Sequence, residues 1–195
     1  HHPALPPAGS CRMCVVEIEG SPKLATSCST PAAEGMKVST SSPAVKAARR
    51  DVLEFLLLNH PLDCPICDQA GECSLQDYYM EHSCAKSRFP AELKEPRQKR
   101  RLIGPHLVLD NERCVLCTRC VRFCDEVTRT SELFVSGRSD ASFIDIREGK
   151  ALDNGYSLNL ADICPVGALT SREFRFRERL VPGEDPGHLP RLRHR

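Results

Sequence analysis

The sequence predicts an α+β chain of small, metal-stabilised domains, and three observations carry that reading. Short period-two strand patterns open the chain, one strong helical stripe occupies its middle, and its cysteines fall into three groups at metal-ligand spacing. The 195 residues are 41% hydrophobic but only 5% aromatic, with no Trp, so large core-filling side chains are scarce and burial needs help. Twelve cysteines are the candidate helpers. The sequence shows no charged-then-apolar leader and no apolar run of bilayer length, which favours metal over disulfides for clustered Cys-x2-Cys spacings and argues against direct membrane insertion. A formal charge of +1 gives no reason to expect a nucleic-acid partner.

The first elements are strands. Val16 and Ile18 alternate with Glu17 and Glu19, Gly20-Ser21-Pro22 turns the chain into a run at 23–26, and Met36-Lys37-Val38 gives a third. Cys11 and Cys14 sit in a loop opened by Gly9, and Cys28 follows the second strand. Cys11-x2-Cys14-x13-Cys28 is close to plant-type [2Fe-2S] spacing, which has one further Cys at a distance. Three cysteines buried in a small sheet are the bland alternative.

Ser42 followed by Pro43 is an N-cap with proline at the first helical position, and it predicts a helix over 44–58 with Val45, Ala48, Val52, Phe55 and Leu56 on its buried stripe. Pro61 disfavours helical backbone at His60, so the helix ends by delivering that imidazole to a loop. Cys64, Cys67 and Cys73 follow, with Pro61, Pro65 and Gly71 shaping the turns. Four soft or borderline ligands in fourteen residues suit an iron-sulfur cluster better than zinc, whose motifs usually bring ligands as two separated pairs, but zinc stays open on this stretch alone. Residues 74–82 form a short helix. Residues 86–101, with Pro90, Pro96 and seven Lys or Arg, read as a solvated connector, and Cys84 as a spare thiol.

The strand at 107–109 leads into Cys114-x2-Cys117-x2-Cys120, where three thiolates in seven residues match three corners of a [4Fe-4S] cubane. The usual Cys-x3-Cys-Pro ending is split here: Cys124 has the x3 spacing, whereas Cys164 has the proline. No second Cys-x2-Cys-x2-Cys run exists to use Cys124, so Cys164 is taken as the fourth ligand and Cys124 as a core residue. Strands at 134–136 and 143–146 and a short helix at 158–163 lie between. Arg113, Arg119 and Arg122 flank this cubane and either offset its charge or form a solvated face. The Pro-, Gly- and Arg-rich stretch 181–195 has no apolar period and is expected to be disordered.

Taken together, Cys-Arg-Met-Cys at 11–14, the run 60–73, Cys-Ser-Leu-Gln-Asp-Tyr-Tyr at 73–79, Cys-Val-Leu-Cys-Thr-Arg-Cys-Val-Arg-Phe at 114–123 and Asp-Ile-Cys-Pro-Val-Gly-Ala-Leu-Thr-Ser at 162–171 closely resemble the amino-terminal iron-sulfur part of the largest peripheral-arm subunit of respiratory complex I. The resemblance runs to about residue 179. It implies Cys11, Cys14 and Cys28 as [2Fe-2S] ligands, His60, Cys64, Cys67 and Cys73 around a [4Fe-4S] cluster, and Cys114, Cys117, Cys120 and Cys164 around a second. The family's first [2Fe-2S] Cys would fall immediately before His1, so that site is one ligand short here, and neither His1 nor His2 is expected to replace it. The chain therefore reads as truncated at both ends. The implied organisation is a partial [2Fe-2S] ferredoxin-like (β-grasp) domain at 1–42, a helix with the His/Cys3 [4Fe-4S] segment at 43–85, a linker at 86–105, a [4Fe-4S] ferredoxin-like α+β domain at 106–180, and the tail.

There is no nucleophile–base pair, glycine-rich dinucleotide loop or phosphate cradle, so no catalytic residue is assigned and hydride chemistry is not expected in this chain. The resemblance implies single-electron relay within NADH:quinone oxidoreductase. Its partners would be a flavin- and NADH-binding subunit and other peripheral-arm subunits, at the cytoplasmic face of a bacterial inner membrane or the matrix side in mitochondria. Two other functions fit the motifs: the diaphorase-type electron-transfer subunit of an NAD-linked hydrogenase or formate dehydrogenase, and a zinc-stabilised interaction module.

Overall fold

A computed structural model describes residues 2–82 and 86–177. Cys84, expected as a spare thiol, and the stretch 181–195, expected as a disordered tail, lie outside the described residues. The chain is a mixed α+β structure of three small antiparallel sheets with short helices between them.

The first sheet has β1 (Val15–Ile18) at its centre, with β2 (Ala25–Thr26) and β3 (Val38–Ser39) on either side. Val15 and Val16 are buried while Glu17 and Ile18 are only partly covered, so one end of this thin sheet is sealed against the rest of the molecule. Helix α1 (Pro43–Leu57) starts where Ser42 and Pro43 predict, and the Ser42 hydroxyl accepts the Val45 N–H at 3.3 Å. Its buried face differs from the expected stripe: Leu53 is fully buried and Phe55 is 76% exposed. At about 100° per residue the two sit symmetrically on either flank of the Val45–Val52–Leu56 line, and only packing against α2 (Ser74–His82) and β1 decides which flank is covered.

The second sheet is β4 (Arg101–Leu102), β5 (Leu107–Leu109) and β8 (Leu169–Ser171), with β5 in the middle. Strands β6 (Leu133–Ser136) and β7 (Phe143–Ile146) form a separate hairpin. Helices α3 (Arg119–Arg122) and α4 (Asn159–Ile163) pack beside these strands, and α3 continues as a π turn over Phe123–Val127. One continuous apolar core joins α1, α2 and this second half, through Leu53, Leu75, Leu109, Phe123, Leu133 and Leu160.

The polar stretch 86–101 is largely exposed, as a solvated connector is, but several of its cations are tied to the rest of the chain. Lys94 Nζ donates to the Leu57 and Leu58 carbonyls at 2.7 and 2.8 Å, Arg88 pairs with Glu54, Arg97 reaches the Ser142 and Asp140 carbonyls, and Lys99 pairs with Glu112. These partners are distant in sequence, and a local charge count does not see them.

Candidate metal centres

Cys114, Cys117, Cys120 and Cys164 surround one apolar cavity of about 20 Å³, walled by residues including Leu109, Ile144 and Leu169. The pairing of β5 with β8 brings the last thiol back. Leu109 opposes Leu169, and next to that pair the Asp110 N–H donates to the Ala168 carbonyl at 2.7 Å, just ahead of Cys114 on one strand and just past Cys164 on the other. The cysteine loop itself is tightly wound. Leu116 and Thr118 both hold left-handed backbone, with φ of 51° and 57°, a conformation that costs a β-carbon residue on the order of 1–3 kcal/mol and tends to persist where function requires it. That geometry lets the Leu116 N–H reach Cys114 Sγ at 3.4 Å. Burial pushes the Cys114 thiol up to about 12, Cys120 well above its usual value and Cys164 up to about 11, while backbone N–H groups of Val166, Leu169 and Ala168 pull Cys164 the other way.

Cys124 is on α3's π turn and does not line this cavity. It is fully buried, and burial, with Glu132 beside it accepting from the thiol, pushes it up to about 12.

His60, Cys64, Cys67 and Cys73 line a different and larger space, an open groove of about 1110 Å³ between α1, α2 and the 86–94 stretch. The His60 N–H closes a turn on the Leu57 carbonyl at 3.2 Å, so the end of α1 positions the imidazole. Burial pushes its pKa down to about 4, which leaves the ring neutral at pH 7. Its Nδ1 is buried without a hydrogen-bond partner. Cys67 and Cys73 are both pushed up by burial, opposed by backbone N–H groups and, at Cys67, by the Arg113 charge. Gly71, with φ of 83°, turns the loop between them.

Cys11, Cys14 and Cys28 line a third cavity of about 150 Å³, and His2 is on the same wall. The Cys14 and Cys28 thiols share a hydrogen bond. At Cys14 burial is outweighed by donors from Cys28 and Ser27 and the pKa falls, whereas the bond to Cys14 raises that of Cys28. All eleven described cysteines are free thiols.

The three cavities adjoin one another across the fold. Cys117, Val115, Arg119 and Val166 wall both the Cys114 cavity and the Cys11 cavity. On the other side, the segment Cys164-Pro165-Val166-Gly167 touches the His60 loop: the Ser74 N–H and the Cys73 thiol both donate to the Pro165 carbonyl, at 3.0 and 3.8 Å. Gly167 has no room for a Cβ because Cys67 Sγ occupies that space. The Cys114 site therefore touches both of the others, and Leu75 lines both the Cys11 and the His60 cavities.

Three families match successive parts of the chain: "2Fe-2S iron-sulfur cluster binding domain" over residues 2–43, "NADH-ubiquinone oxidoreductase-G iron-sulfur binding region" over 49–88, and "NADH-quinone oxidoreductase subunit 3, ferredoxin-like domain" over 104–170. Among curated proteins, the mitochondrial NADH dehydrogenase (ubiquinone) iron-sulfur protein 1 of Solanum tuberosum is 49% identical over 92% of this chain and 24% of its own length. The NADH-ubiquinone oxidoreductase 75 kDa subunit of Reclinomonas americana is 47% identical over 92% of this chain and 26% of its own. Over 92% of its length the chain matches the amino-terminal iron-sulfur portion of NADH-ubiquinone oxidoreductase 75 kDa subunits. It spans about a quarter of the length of these curated relatives. A crystal structure of an NAD+-reducing [NiFe]-hydrogenase also matches, with a TM-score of 0.79 and 33% identity over 92% of this chain and 76% of that one.

The donor sets of this chain fit iron-sulfur clusters. Neutral imidazole with an unpartnered buried nitrogen, and buried thiols already faced by backbone N–H groups, are groups that metal binding satisfies and water cannot reach. Among the described residues no three His, Cys, Asp or Glu side chains converge as a single metal ion would require.

Two features were not visible in the sequence. The Arg113 guanidinium does not face the Cys114 site but the His60 loop, where Nη2 and Nε meet the two Asp63 carboxylate oxygens at 2.6 and 3.3 Å. Gly167 marks the contact of two sites, and only the fold shows it.

Proposed function

We propose that this chain is the electron-relay portion of an NADH:quinone oxidoreductase. Three sites would be used: Cys11, Cys14 and Cys28 toward a [2Fe-2S] cluster, His60, Cys64, Cys67 and Cys73 holding one [4Fe-4S] cluster, and Cys114, Cys117, Cys120 and Cys164 a second. The observation that carries the reading is the enclosed apolar cavity around four thiols drawn from two stretches of chain that β5–β8 pairing unites. Bound clusters would supply one-electron carriers. The residues contribute the rest: they hold sulfur in fixed places, exclude water with an apolar shell, and donate N–H groups to the thiolates. A relay running Cys11 site, Cys114 site, His60 site is proposed, and the contacts of the Cys114 site with both of the others support it. A flavin-bearing, NADH-oxidising subunit would feed the chain, and quinone-side subunits would drain it. No described helix is long and apolar enough to cross a membrane, and a peripheral position is proposed, facing the bacterial cytoplasm or the mitochondrial matrix.

Anaerobic purification tests this. A brown protein with about eight iron and eight sulfide per chain from two cubanes, more if the [2Fe-2S] site fills, is expected. A colourless, zinc-loaded sample would refute it. The hydrogenase likeness supports a second reading, the diaphorase-type subunit, and copurification with a hydrogenase subunit instead of quinone-reductase subunits would select it.

A further inference from the structure

Arg113 is the largest fully buried side chain in the described structure, 1% exposed. A buried guanidinium is rare, because the charge loses its hydration and must be recompensed by close partners. Its partners all come from the seam between two sites. Asp63, three residues after His60, takes both Nη2 and Nε, and the Ile66 carbonyl lies 3.4 Å from Nη2. Asp110 Oδ2 is 3.7 Å from Nη1, which makes no hydrogen bond. Arg113 precedes Cys114 in the chain, and its Cδ sits 3.6 Å from the point at Gly167 that Cys67 Sγ also crowds. One fixed positive charge thus stands on the His60 side of the seam, beside Cys67 and one residue before Cys114 in the chain, where partial burial lets Coulomb forces act over several ångström with reduced screening.

We propose that Arg113 is a positioning residue that sets the relative reduction potentials of the two cubane sites, raising the His60 site more than the Cys114 site and so drawing a single electron from the second to the first. The step is one electron leaving a reduced iron-sulfur neighbour and arriving at the His60 side, with no bond made or broken and no proton moved. Asp63 moderates the effect, since its carboxylate offsets part of the guanidinium's charge. The proposal rests on the reading that both sites hold clusters.

A mere fastener and a potential-setting charge respond differently to substitution. In anaerobically purified, cluster-bearing protein, poised with dithionite and followed by electron paramagnetic resonance, Arg113→Gln strips the buried positive charge and leaves Asp63 with Lys99, at 3.8 Å, as its remaining cation. Both cubane potentials shift down, the His60 signal further. Arg113→Lys keeps the charge and holds the potentials near wild type. Asp63→Asn leaves the guanidinium with Asp110 as its one carboxylate, at 3.7 Å, and shifts the His60 potential up. A cluster-loaded Arg113→Gln chain titrating at wild-type potentials overturns the proposal, as does a downward shift in Asp63→Asn. Should Arg113→Gln fail to assemble, the sign of the Asp63→Asn shift decides alone. Wild-type protein without iron and sulfide would instead overturn the underlying reading, and this proposal with it.

Discussion

The His60 and Cys114 sites carry the same number of candidate ligands and are built in opposite ways. The first takes all four from one stretch of fourteen residues, at the open end of a groove of about 1110 Å³. The second takes three from one loop and the fourth from after α4, around an enclosed cavity of about 20 Å³. A local site can form once α1 has ended and the loop has turned. A site completed by strand pairing exists only when the whole second half has folded, so its ligands and its core are one cooperative unit. The contrast extends to charge: the local site has a neutral imidazole where the other has a fourth thiol.

The largest expected effect breaks the nonlocal site. Cys164→Ser should remove about four iron and four sulfide per chain and one cubane signal, and lower the thermal midpoint because cluster and fold are coupled. Cys124→Ser, in contrast, should leave iron content at wild type, since the Cys124 thiol is directed at Glu132. Equal iron loss from both variants would reverse the ligand choice. Next in size is Gly167→Ala. Its Cβ would enter the space of Cys67 Sγ, an overpacking cost of about 1–3 kcal/mol that falls on a ligand of the local site. The His60 cubane signal should weaken or vanish while the Cys114 signal persists; loss of both together would show that the two sites are not built independently.

A smaller change sharpens the charge contrast. His60→Cys keeps a metal ligand but adds one negative charge, which disfavours the incoming electron, so the midpoint potential of that site should fall and the neighbour should move less. An unchanged or raised midpoint in a redox titration would refute the neutral-ligand account.

The same contrast explains what the sequence made legible. Ligands that share a loop announce themselves by spacing, as Cys114, Cys117 and Cys120 do, because a short chain can wrap a core only in a few ways. Ser42-Pro43 marked the start of α1 for an equally local reason. What depends on docking stayed hidden. Leu53 and Phe55 flank one helical stripe symmetrically, and α2 and β1 choose between them. Arg113 belongs by sequence to the Cys114 loop, yet its carboxylate partner lies fifty residues upstream at Asp63. Left-handed Leu116 and Thr118 carry no glycine to betray them.

Lys94 gives the mildest test and the most selective one. Its ammonium donates to the last carbonyls of α1, Leu57 and Leu58, at 2.7 and 2.8 Å, in the turn that aims His60. Burial pushes its pKa down, so desolvation opposes the pairing, and a cation at a helix C-terminus is worth on the order of 0.3–1 kcal/mol. Lys94→Met should therefore cost no more than about 1 kcal/mol in denaturant unfolding and loosen the imidazole's placement, broadening the His60 cubane signal alone. The Cys114 signal, anchored by β5 and β8 and not by the end of α1, should keep its wild-type shape; a change there would mean that the 86–94 stretch supports the nonlocal site as well.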